Sequence, residues 1–114
     1  MYVIHEPKEG SFHKAGITGK IFPIHDLTHK TEYFLVETEK GHETTIIEKE
    51  SDFIYYILEG SGYFIIGKSK EACAAGDLVV IPAGTSFIYK GKLKMIATST
   101  PPWREEQEET LSTT

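Results

Sequence analysis

At 114 residues the chain has room for one domain with a single buried core. A net charge of −5 argues against a phosphate backbone and against an anionic membrane surface as a partner, because both are held chiefly by Lys and Arg. The single cysteine, Cys73, excludes an intrachain disulfide and any zinc site built on several thiolates.

No run approaches the roughly 18 apolar residues of a membrane-spanning helix. Met1–Gly10 lacks the apolar stretch of a signal peptide, and with no Asn there is no glycosylation sequon. A soluble cytoplasmic protein is expected.

Tyr2-Val3-Ile4 reads as a short edge strand, followed by a loop punctuated by Gly10, Gly16 and Gly19. Ile21–Ile24 reads as a second short strand, confined to an edge or bulge by Pro23. Tyr33–Glu39 alternates apolar and acidic positions toward its end, which suits a strand with one wet face. Lys40-Gly41-His42 is a turn, and Glu43–Glu50 and Phe53–Leu58 are strands. Glu59-Gly60-Ser61-Gly62 reads as a hairpin turn, with glycines where positive φ is needed. Tyr63–Ile66, Glu71–Ala75, Asp77–Ile81, Phe87–Lys90 and Leu93–Thr98 complete the strands, with Pro82-Ala83-Gly84 as a turn. Cys73, in Ala-Cys-Ala-Ala-Gly, reads as a small buried or strand-end residue. Short strands at this spacing indicate an all-β sandwich or barrel. Residues 1–103 form the expected domain, and 104–114 an acidic, solvated tail with at most one helical turn. Trp103, ahead of that tail, is expected to anchor against the core or a partner chain.

Two segments resemble the cupin family of the RmlC-like superfamily. Phe53 to Gly60, within Y-Y-I-L-E-G-S-G, has the spacing with which the first cupin motif ends. Gly76, Pro82 and Gly84, in A-G-D-L-V-V-I-P-A-G-T, fit the second. Only 15 residues, Ser61 to Ala75, separate them, as in small microbial members. The resemblance implies a double-stranded β-helix, a jelly-roll barrel, often paired as a homodimer. It also implies a metal held by His-x-His and Glu of the first motif and His of the second. This chain departs there: Phe53 stands at the Glu position and Phe87 at the second-motif His position. The His-x-His positions fall on Ile47 and Lys49, or on Glu48 and Glu50, depending on loop length. A phenyl ring ligates nothing, so no metal and no cofactor are expected.

Strand alternation then gives the expected lining. If Phe53 points inward, so does Tyr55, and if Phe87 does, so does Tyr89. The candidate ligand pocket is Phe53, Tyr55, Phe87 and Tyr89, with Ile47 and Lys49 at the rim. The same rings could instead fill the barrel, and both readings stay open at this point. Glu48 and Glu50 read as a solvated rim, with an acid–base or cation-binding pair as the alternative. His5, His13, His25, His29 and His42 read as surface residues. Three function classes remain: a metal-free protein binding a small, partly apolar ligand; an enzyme, either an isomerase or epimerase or one using unusual metal ligands; and a dimeric structural or regulatory subunit. The first is favoured.

Overall fold

A computed structural model describes residues 2–111. Nine strands form one curled antiparallel sheet: β1 (Phe12–Lys14), β2 (Ile17–Ile21), β3 (Glu32–Thr38), β4 (Thr45–Glu48), β5 (Asp52–Ile66), β6 (Ser69–Ala74), β7 (Leu78–Ile81), β8 (Ser86–Thr100) and β9 (Glu108–Leu111). One path runs β1-β2-β3-β8-β4-β9, while β5 pairs with β6, β7 and β8. No helix among the described residues is long and apolar enough to cross a membrane.

The two 15-residue strands, β5 and β8, carry the architecture. They pair along almost their whole length, from Asp52↔Thr100 to Ile66↔Phe87, and so belong to both walls of the barrel. Here the structure corrects the sequence reading, because Glu59-Gly60-Ser61-Gly62 is no hairpin turn. β5 runs straight through it, with a bulge between Ile57 and Glu59 that bends the strand. Gly62 faces Gly91 across the pair. A Cβ on Gly62 would collide with the Lys90 carbonyl oxygen, and one on Gly91 with that of Ser61. The glycines serve close backbone approach inside a bent strand, which has the same local signature as a turn.

The N-terminal region differs as well. Tyr2 and Val3 are exposed and outside any strand, and the segment read as loop contains the β1–β2 hairpin. Its two-residue turn is Ala15-Gly16, with φ of 50° and 82°, as a type I′ turn requires. Ile21–Ile24 is strand only at Ile21, the end of β2.

Within the expected solvated tail, residues 108–111 join the sheet, while residues 112–114 lie outside the described residues. β9 pairs with β4 from Thr45↔Leu111 to Glu48↔Glu108, and the preceding 3-10 turn, Glu105–Gln107, buries Gln107 to 2 % exposure. The Gln107 side-chain oxygen accepts from the backbone N–H of Glu50 and of Ser51, each at 2.9 Å, and its Nε2 donates to Ser51 Oγ at 2.9 Å. One amide thus satisfies three polar groups at the base of β9, something polar composition does not announce.

The core fills the far end of the barrel. Ile57, Phe64, Phe87, Leu93 and Met95 are almost wholly buried there, and Cys73 packs into the same cluster. Burial of apolar area on this scale is the main stabilising term for such a barrel.

Candidate functional site

Strand alternation sends Phe53, Tyr55 and Ile57 of β5 inward, together with Phe87, Tyr89 and Leu93 of β8. Phe87 closes the inner end of the barrel. It is 1 % exposed and packs against Phe53 and Tyr55 at ring distances of 6.2 and 6.1 Å. In front of this layer lies a cavity of about 270 Å³, lined by Phe53, Tyr55 and Tyr89 but not by Phe87. The barrel is therefore filled at one end and hollow at the other.

The cavity has two characters. Phe12, Ile21, Phe34, Val36 and Phe53 make an apolar slot, within which Phe34 and Phe53 stack nearly parallel at 6.4 Å. Lys14, His42, Glu48, Trp103 and Glu108 make a polar wall beside the two phenols. An apolar slot with a few convergent polar groups is the usual construction of a small-molecule site.

Ile47 and Lys49 lie outside this lining. The inward residues of β4 are Ile46 and Glu48, 6 % and 3 % exposed. Because side chains alternate, a one-residue change of phase exchanges the faces. Lys49 is exposed, 3.7 Å from Glu109. Glu48 and Glu50 do not share a face either, because β4 ends at Glu48 and the exposed Glu50 pairs with Arg104. Glu48 is no solvated rim.

His42 is the residue that sequence reasoning missed. It is 5 % exposed, and its ring stands edge-on to Tyr89 at 5.6 Å. Its Nδ1 lies 2.7 Å from the Thr44 carbonyl oxygen and 3.2 Å from the Thr44 backbone nitrogen; the shorter contact is to an atom that can only accept, and it places the proton on Nδ1. Nε2 is then the nitrogen with the free lone pair, and burial pushes the imidazole below its ordinary pKa. The signal was present in Gly41-His42: Gly41, at φ 108°, lets the chain press against Tyr89 and Lys90, and that contact carries His42 to the barrel wall.

The two phenols form a pair with ring centroids 5.5 Å apart. Burial pushes both upward, so both keep their protons. Trp103, just before β9, packs against the core and lines the cavity. Its Nε1 donates to Glu108 Oε1 at 3.3 Å, and the Lys14 ammonium sits 4.7 Å from its ring centre.

The overall fold matches a set of solved structures. Pac13, described as a unique nucleoside dehydratase, is 25 % identical and superposes with a TM-score of 0.87 over 97 % of this chain and 91 % of its own. Its H42Q variant from Streptomyces, solved with uridine, gives 24 % identity and a TM-score of 0.88 over 98 % and 92 %. An RmlC-like cupin from Shewanella frigidimarina gives 17 % identity and a TM-score of 0.68 over 86 % of each chain. The chain has a cupin fold. No protein-family model matches it, and no curated protein does. Two more Streptomyces Pac13 variants solved with uridine carry Y55F and Y89F. This chain has His, Tyr and Tyr at 42, 55 and 89.

The metal that many cupins carry has no fitting donor set here. Phe53 and Phe87 stand where the cupin resemblance places two of the ligands, and neither ring offers a donor. Among the described residues no group of three His, Cys, Asp or Glu is placed to hold an ion.

Proposed function

We propose that this cupin binds a nucleoside-like molecule in its aromatic cavity and removes water from it by acid–base chemistry that draws on no metal. One observation carries the reading: His42 is buried, neutral and fixed in the tautomer that leaves Nε2 free, in the wall that also holds Tyr89. The apolar slot suits a flat heterocycle stacked on Phe34 or Phe53, and the polar wall suits a sugar. The likeness to a nucleoside dehydratase, and the His and Tyr residues at the numbers varied in it, support the same class.

In the dehydration, Nε2 takes a proton from a carbon next to a carbonyl, where a neutral imidazole is a sufficient base. The electron pair forms the C=C bond, and the hydroxyl on the adjacent carbon leaves as water with a proton returned by the imidazolium. Tyr55 and Tyr89 hold their protons too tightly to be the source. They act instead as hydrogen-bond donors that steady developing negative charge on the substrate oxygen.

Two measurements test this. Uridine should quench or shift the fluorescence of Trp103, the only tryptophan, with saturation. Nucleosides carrying a carbonyl on the sugar should lose the mass of one water with wild type and not with Tyr89→Phe or His42→Gln. Saturable binding with no mass loss for any such compound would leave a binding protein and overturn the enzyme. No binding would overturn both.

A further inference from the structure

The nucleoside reading leaves one feature of the cavity unused. Glu48 and Glu108 stand directly opposite each other across the β4–β9 pair, and both line the polar wall. Two carboxylates in this position repel, and one of them has nowhere to send its charge. Glu48 is 3 % exposed, and its Oε1 is buried with no hydrogen-bond partner among the described residues. Glu108 is the better solvated, and it alone has the cation. Its Oε2 lies 3.6 Å from Lys14 Nζ, and its Oε1 accepts from Trp103 Nε1. The other titratable groups facing Glu48 are His42 from the turn before β4 and the Tyr55 hydroxyl from β5. Neither is charged, and what Lys14 and the Trp103 indole offer an ionised Glu48 is outweighed by its burial and by Glu108.

We propose that Glu48 and Glu108 form an acid–carboxylate pair holding one proton, on Glu48, and that this pair is the specificity-determining wall of the cavity. It accepts the hydroxyl or N–H groups of an uncharged ligand and rejects a phosphate. The inference rests on the nucleoside reading and sharpens it, by excluding the phosphorylated forms of the same molecule. The reasoning is electrostatic. The single negative charge of the pair is already balanced by Lys14, so that wall offers acceptors and no net positive charge. An anionic ligand group would have to give up water for a site with no cation left to meet it. Glu48 Oε1, the unpaired acceptor, is what an incoming donor would satisfy. Burial, and secondarily Glu108, push the Glu48 carboxyl up to about 9, in keeping with its carrying the proton.

The experiment has two arms on the full-length protein. Difference infrared spectroscopy at neutral pH should show the stretch of a protonated carboxylic acid in wild type that is missing from Glu48→Gln. Its absence from wild type, or its loss in Glu108→Gln alone, overturns the assignment of the proton. This arm needs no ligand, so it decides the pair even if uridine does not bind and the nucleoside reading falls. Titration calorimetry with uridine and with uridine 5′-monophosphate reads the specificity. The nucleotide should bind at least about tenfold more weakly than the nucleoside, the cost of roughly one strong hydrogen bond lost. Glu48→Ala should weaken uridine by about the same factor, and Glu48→Gln, which restores a neutral acceptor and donor, should recover most of it. Equal binding of the two ligands, or an unchanged uridine affinity in Glu48→Ala, overturns the role in selection.

Discussion

His42 Nδ1 lies 2.7 Å from the carbonyl oxygen of Thr44, two residues further along the same turn. This local contact decides which nitrogen of the ring is basic, and the packing of Gly41 against β8 decides where that nitrogen is presented. If His42 is the base, His42→Asn should lower turnover by about 10²–10⁴-fold while leaving the protein folded, since the ring lines a cavity and supports no strand. Steady-state kinetics with a circular dichroism melt checks both halves.

The buried imidazole also predicts the shape of the acid limb. Its folded pKa lies below the ordinary value of about 6.5, so the neutral, active form persists to lower pH than for a solvent-exposed histidine. The acid limb of kcat/KM should therefore turn below pH 6.5. A limb at or above that value would mean that a different group is being titrated.

Glu48 predicts an unusual pH dependence of stability. Its folded pKa, about 9, stands above the ordinary carboxyl value of 4.5, so the folded state holds a proton that the unfolded chain has released. The contribution is fully present below about pH 4.5 and is lost as pH rises toward about 9. Glu48→Gln, which does not titrate, should flatten the fall of melting temperature across that interval. Parallel melts at pH 5, 7 and 9 are the measurement.

Phe87 backs Phe53 and Tyr55 and does not touch the cavity. Phe87→Ala should cost about 3–5 kcal/mol of stability, as truncations of fully buried aromatics do, through a new void behind the ligand site. Denaturant unfolding gives the number. A cost below about 1 kcal/mol would show that the inner barrel collapses onto the gap.

Gln107 fixes the last strand. Gln107→Ala would leave the buried N–H of Ser51 and the part-buried N–H of Glu50 without an acceptor, a loss of about 2–4 kcal/mol. The same change should raise amide exchange along β4 and β9, and with it the mobility of Glu108 and Trp103. Exchange confined to residues 105–111 would separate β9 from the site.

The sequence by itself determined the local alternation and the punctuation. Apolar and aromatic runs cut by Gly and Pro specify strands, and the two glycine-anchored segments specify a cupin barrel. The two-residue period then fixes that Tyr55 shares the inward face with Phe53, and Tyr89 with Phe87. What it left undecided was everything set by which segments meet. Whether Glu59–Gly62 turns or bends depends on the backbone of β8 crossing it, and whether β4 presents Ile46 and Glu48 or Ile47 and Lys49 depends on its pairing with β8 and β9. His42, Glu48, Trp103 and Glu108 come together from a turn, two strands and the approach to the second of them, far apart in the chain. Their polar side chains carry no periodic signal, because their burial is supported by single partners: Thr44 for His42, Glu108 for Trp103 and for Glu48, and Lys14 for Glu108. Only the closed barrel supplies those partners, and it is there that a chain with no metal-ligand motif acquires a site.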